Sequence, residues 1–272
     1  YYNDATTPGP GDPTLREPYP YIQPTYYSRS IGNGDYNSLQ LQLTRSLFKG
    51  LAATVAYTWS KSIDEGCSGF FGTEGCNIQQ IYNIRAERSV SAFDVPQNFT
   101  ATYNYQLPVG RGKMLNVDNR LLDLLVGGWE YSGFIRLNSG ANYSINIAAD
   151  IANIGNSGYE RPNVVGPINP PNQNKSHWLN ASSFAVPAQY TYGSMGRNAL
   201  RSEFYKGWDM SLLKEFPIYD RLHGRFDVDA FNVFNHPIFA QPDSGLSDAL
   251  FGQIGGTVSG TRAVQLSAKI TF

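Results

Sequence analysis

From Ser38 the chain alternates strictly, with Leu39, Leu41 and Leu43 set against Gln40, Gln42 and Thr44. A period of two is that of a strand with unlike faces. After Phe48-Lys49-Gly50 the pattern restarts, placing Leu51, Ala53, Val55, Tyr57 and Trp59 opposite Thr54, Thr58 and Ser60, which predicts a tight hairpin. A third strand sets Phe99, Ala101, Tyr103, Tyr105 and Leu107 against Asn98, Thr100, Thr102, Asn104 and Gln106. The fourth sets Trp129, Tyr131, Gly133, Ile135 and Leu137 against Glu130, Ser132, Arg136 and Asn138, with Phe134 as the exception. Three more follow. Trp208, Met210 and Leu212 alternate with Asp209 and Ser211, and Phe226, Val228 and Ala230 with Arg225, Asp227 and Asp229. Val264, Leu266, Ala268, Ile270 and Phe272 then oppose Gln265, Ser267, Lys269 and Thr271. An eighth strand is expected around Tyr143 to Ile147, continuing the fourth or forming a hairpin in a loop. Arg120 to Val126 suit a short helix closed by Gly127-Gly128. Residues 1–33, rich in Pro, Gly and Tyr and without either period, are expected to form an extended loop, leaving 34–272 as the strand-forming part.

Alternation alone does not separate a soluble sandwich, whose apolar face is its core, from a membrane barrel, whose apolar face meets lipid. Three features favour the barrel. The alternation persists over about 9 to 11 residues, the length of a spanning strand, where soluble strands average about 5 to 6. Tyr57 and Trp59 end one strand while Trp129 and Tyr131 begin another, as in interfacial aromatic girdles. Short links follow the first strand and the Trp208 strand (Pro217 to Asp220), and long ones follow the second, fourth and sixth. Outer-membrane barrels have short periplasmic turns and long external loops. With Phe272 ending in the periplasm, every long loop falls outside, except that the third connection, Pro108 to Gly128, is a long periplasmic turn carrying the helix.

Composition agrees with this class. No run of about 18 apolar residues occurs, which excludes a spanning helix, and a mean hydropathy of -0.34 suits strands that are apolar on one face only. The net charge of -1 leaves no basic footprint for nucleic acid. The chain begins Tyr1-Tyr2-Asn3, so any export signal is expected to have been removed or to lie upstream. Cys67 and Cys76 share one Gly-rich loop, a spacing that suits either a local disulfide in an oxidising compartment or two free thiols.

Candidate chemistry is sparse. There is no G-x-S-x-G, H-E-x-x-H or C-x-x-C, and His177, His223 and His236 lack a ligand spacing, so no catalytic, cofactor or metal site is expected. Gly110-Arg111-Gly112-Lys113 lacks the Ser/Thr of a phosphate loop and reads as a basic turn. Asp227 and Asp229 could serve as acid and base in glycoside cleavage, or, with Glu130, Arg136, Arg225 and Lys269, line a polar lumen. Asn142, Asp150, Asn153 to Asn156 and Tyr190 to Tyr192 fall in the longest loop, where recognition residues and ordinary loop composition look alike.

Several stretches carry a family likeness. They are Tyr36-Asn37-Ser38-Leu39-Gln40, Tyr57-Thr58-Trp59-Ser60-Lys61-Ser62, Asn83-Ile84-Arg85-Ala86-Glu87-Arg88 with Phe93-Asp94-Val95, Gly127-Gly128-Trp129, Trp208-Asp209-Met210-Ser211-Leu212, Phe231-Asn232-Val233-Phe234-Asn235-His236-Pro237 and Lys269-Ile270-Thr271-Phe272. In this order they resemble the C-terminal barrel region of Oar-like TonB-dependent receptors. The resemblance implies a bacterial outer-membrane importer with a plug domain inside a barrel of about 22 strands, energised by TonB through an N-terminal region not present here. It also implies the lipid bilayer, the plug, the remaining strands and an unidentified ligand as partners. The terminal Phe272 resembles the signal read by the barrel-assembly machinery. The expected fold is thus all-β: seven or eight antiparallel transmembrane strands of a larger barrel, forming an open, curved sheet in isolation. The alternatives are a small stand-alone barrel with an adhesive or structural role, and a secreted β-sandwich enzyme or lectin.

Overall fold

The structure, a computed structural model, describes residues 3–22, 31–66, 78–219 and 221–272. Cys67 and Cys76 lie outside the described residues. Twelve strands are described: β1 (Gly34–Phe48), β2 (Leu51–Asp64), β3 (Ser89–Val90), β4 (Gln97–Gln106), β5 (Trp129–Asn138), β6 (Asn142–Tyr143), β7 (Asn163–Val164), β8 (Phe184–Ala185), β9 (Leu200–Arg201), β10 (Tyr205–Tyr219), β11 (Leu222–Phe231) and β12 (Ala263–Thr271). The seven long ones form one antiparallel sheet in the order β1-β2-β4-β5-β10-β11-β12, with β3 added to β2. The sheet is open. β1 and β12 each pair on one side only and are exposed along their whole lengths.

The register shows why alternation along one strand becomes a property of the whole sheet. Leu41 pairs with Tyr57, Tyr57 with Phe99 and Phe99 with Leu137; likewise Val55 pairs with Ala101, Ala101 with Ile135 and Ile135 with Trp208. Directly opposed residues share a face, so these rows make one continuous apolar surface. The reverse face reads Thr54, Thr102, Phe134 and Asp209 across four strands. Near the middle of the apolar face Tyr103 donates its hydroxyl to the Tyr131 hydroxyl at 2.9 Å, and the Trp208 indole donates to Tyr103 at 3.1 Å. The three polar tips are thus linked to one another on an otherwise apolar face. Gly133 makes room for this group, because a side chain there would collide with the Tyr103 ring.

Short turns close one end of the sheet. Lys49 (φ 53°) and Gly50 (φ 82°) both take the left-handed conformation of a two-residue hairpin turn, and a Cβ on Gly50 would meet the Gln106 carbonyl. β10 runs through Pro217, further than the pattern suggests. Its last bond on the β5 side runs from Glu215 N to Gly128 O, so beyond that point β10 has a free side where the missing N–H of proline costs no ladder bond. The link from β4 to β5 carries helix α1 (Arg120–Val126), with Asn119 accepting from the Leu121 and Leu122 amides as its N-cap.

At the other end the long connections pack together, and there the buried core lies. Of the buried hydrophobic residues among those described, Ala101 alone belongs to a long strand. Tyr143, Ile145, Leu179, Phe184, Met195 and Leu200 form one cluster, and Ala5, Ala152 and Ile154 a second. This corrects the eighth strand. Tyr143, Ile145 and Ile147 do alternate, but they fill the loop core, and β6 leaves the main sheet to pair with β9. Residues 3–22 also differ from an extended loop: Thr6 N donates to Arg16 O, and the Arg16 guanidinium reaches the Gly9, Pro10 and Asn153 carbonyls.

Candidate functional site

The polar face of the sheet is the first candidate surface. Arg225 grips Asp227 through Nε at 2.9 and 3.0 Å and Nη2 at 2.8 Å, while the Ser267 hydroxyl donates to the same carboxylate at 3.2 Å. Arg225 pairs with Lys269 on one side and Glu215 on the other, and Asp229 pairs with Gln265 and Ser211. Glu130 accepts from the Asn104 amide at 2.6 Å and is separated from Asp227 only by Leu213 in the cross-strand row. These five residues therefore form a mixed-charge band across β5, β11 and β12. Arg136 stands apart near the loop end, its guanidinium 5.3 Å from the centre of the Tyr205 ring. Phe272 follows β12 and is fully exposed.

The second candidate is the loop assembly, which sequence periodicity does not reveal. Arg161 binds Glu87 through both terminal guanidinium nitrogens, at 2.8 and 3.1 Å, with side-chain exposures of 2% and 0%. The Gln79 side chain bridges the Arg161 amide and the Gly193 carbonyl. Asp94 accepts from the Ser62 amide at 2.6 Å and from Arg201 at 2.7 Å, and Arg197 pairs with Asp64. The charges sit where the β2–β4 and β5–β10 connections cross the sheet end, and they satisfy backbone groups that the crossing would otherwise bury unpaired.

One signal for these residues was present. Glu87, Asp94 and Asn232 lie within stretches that carry the family likeness, and each staples a loop. Asn232 accepts from the His236 amide and donates to the His236 and Gly260 carbonyls. By contrast, the Asn and Asp residues of the longest loop turn inward. Asn142 donates to Ser91 O, Asn153 to Gly9 O and Gly11 O, and Asn156 to Asp4, while Asp150 accepts from the Ile154 and Gly155 amides. The Gly110–Lys113 turn likewise spends its amides internally, on Leu115, Asp123, Asn116 and Gly110.

Burial pushes the Glu160 carboxyl up to about 7, opposed by the Ala152 and Ile151 amides that donate to it and reinforced by Asp150 beside it. Burial likewise raises Asp4 to about 6, and Tyr192, on the same cluster, to about 12. An acid with a raised folded-state pKa stabilises the fold fully below its ordinary range, and that contribution is lost as pH rises through the folded value. Segment 147–160 is thus expected to show stronger amide-exchange protection at pH 5 than at pH 8 once intrinsic rates are corrected. Glu160→Gln should flatten the difference. Equal protection in the parent protein at both values would contradict this assignment.

A sheet of spanning length with one apolar and one charged face, girdled by Trp59 at the loop end and Trp129 at the turn end, defines an outer-membrane β-barrel wall. A family model described as an outer membrane beta barrel domain matches residues 1–265, and the chain belongs to that family. No curated protein and no solved structure matches it. Membership places the protein in the bacterial outer membrane with the bilayer around its strands.

Proposed function

We propose that the chain forms part of the wall and outer loops of a TonB-dependent receptor of the Oar-like type, importing a ligand rather than catalysing a reaction. The observation that carries this reading is the open sheet with two unpaired edges. In lipid each unpaired N–H or C=O costs several kcal/mol, so β1 and β12 need neighbouring strands. Pairing them with each other would close a barrel so narrow that side chains fill it. Phe134, Arg136, Arg225, Phe231 and Lys269 would then compete for one lumen. A wider barrel gives the band of Glu130, Arg225, Asp227, Asp229 and Lys269 a plug or a passing ligand to face. The seven ordered stretches of likeness support the same class.

Residues 1–272 refolded alone in detergent are expected to aggregate, whereas the full-length protein purified from outer membranes should be monodisperse and bind the periplasmic domain of TonB. A heat-modifiable monomer from residues 1–272 alone would overturn this reading in favour of a small stand-alone barrel.

A further inference from the structure

Helix α1 presents an apolar surface that nothing in the described structure covers. Leu121, Leu122, Leu124, Leu125 and Val126 are between 41% and 74% exposed, and Met114 and Leu115 beside them are 78% and 55% exposed. At 100° per residue these five helix residues occupy one broad arc, and Asp123 and Arg120 fall on the other side. Asp123 is turned inward, accepting from the Arg111 amide at 2.7 Å, so the leucines point away from the turn. A contiguous apolar patch of this kind marks an interaction site.

The helix is also fixed to a particular side of the sheet. Lys214 pairs with Trp129 one step along the apolar face from the Leu212–Tyr131 pair. Its Nζ donates to the Leu125 and Gly127 carbonyls at 3.2 and 2.5 Å and lies 4.8 Å from the centre of the Trp129 ring. The Trp129 indole donates to the same Leu125 carbonyl at 3.0 Å. Both side chains reach the helix from the lipid-facing side, at the level of the aromatic girdle. The apolar arc of α1 is therefore continuous with the surface that already meets the bilayer. Next to it, a groove lined by Tyr105, Leu107 and Met114 is flanked by the exposed amines of Lys49 and Lys113.

We propose that the β4–β5 connection is a membrane-interface anchor. The leucines of α1 and Met114 dip among the acyl chains of the phospholipid leaflet at the turn end, and Lys49 and Lys113 meet headgroup phosphates. Short amphipathic helices lie in the interface plane in this way, with the apolar side buried to the headgroup boundary. The inference rests on membership of the outer-membrane family and does not depend on the importer reading.

The test uses the full-length protein in phospholipid vesicles, with Cys67→Ser and Cys76→Ser as background. Spin labels on Leu121→Cys and Leu125→Cys are expected to collide more with oxygen than with a water-soluble nickel chelate, and a label on Lys113→Cys to show the reverse. In an unlabelled Leu125→Trp variant, the quenching added by that tryptophan should be stronger with bromine near the top of the acyl chain than near its methyl end. Chelate-dominated collisions at both leucines would overturn the proposal. So would shielding from both quenchers, which would mean that protein covers the helix: a periplasmic partner, the rest of the barrel or a second copy.

Discussion

Replacing Arg161 with methionine in the full-length protein is expected to destabilise the loop assembly by about 3–5 kcal/mol, because it strands the Glu87 carboxylate without its partner in a dry site. Glu87 is completely buried and takes both of its ion-pair bonds from Arg161, so water does not replace the lost partner without opening the loops. The barrel strands should remain inserted, since the pair lies beyond the sheet end. Protease added to intact outer membranes should cleave between residues 139 and 204 in the variant much faster than in the parent. The double variant Glu87→Leu/Arg161→Met should recover most of the resistance, as hydrophobic replacement of a whole buried pair commonly does. Unchanged cleavage in the single variant would show that the pair does not hold the assembly.

The second large effect belongs to the apolar face. Val55→Arg places a charge near the middle of the lipid-facing band, in the row shared with Ala101, Ile135 and Trp208. It should cost about 2–4 kcal/mol of folding free energy in vesicles. Thr54→Arg, one residue away on the reverse face among Thr44 and Thr102, should cost far less. Labels at Leu41, Val55, Tyr103 and Val228 should report oxygen rather than aqueous quenchers. Reversed sensitivities would exchange the two faces and with them the lumen.

The strands were legible because each carries its own evidence: a period of two is local, and Val55 or Leu266 declares its face without knowledge of its neighbours. The helix was legible for the same reason, through the stretch from Arg120 to Val126 closed by Gly127-Gly128, and the structure adds Asn119 as its N-cap. The charged band followed from the faces, since Glu130, Arg225, Asp227, Asp229 and Lys269 occupy polar positions of their strands. Which charges touch did not follow, because that depends on register: Arg225 meets Lys269 and Glu215 only once β10, β11 and β12 are aligned. The loop core left no periodic trace at all. Glu87 and Arg161 are 74 residues apart, and neither residue differs in composition from an ordinary surface charge. Tyr143 to Ile147 misled for a related reason. Alternation signals a half-buried segment, and burial against other loops produces it as well as burial in a sheet.

The way the loops interlock also constrains the order of assembly. Arg16 reaches Asn153 across 137 residues, and Asn156 reaches Asp4 across 152. Contacts between such distant points close very large loops, whose entropic cost is recovered only after the intervening chain is already ordered. The larger cluster, Tyr143 to Leu200, lies within the single β5–β10 connection, whereas the second joins Ala152 and Ile154 of that connection to Ala5 near the start of the chain. The hairpins, whose partners are close in sequence, face no such delay. The contacts of the N-terminal segment with the β5–β10 connection are therefore expected to close last, over a wall whose strands are already paired.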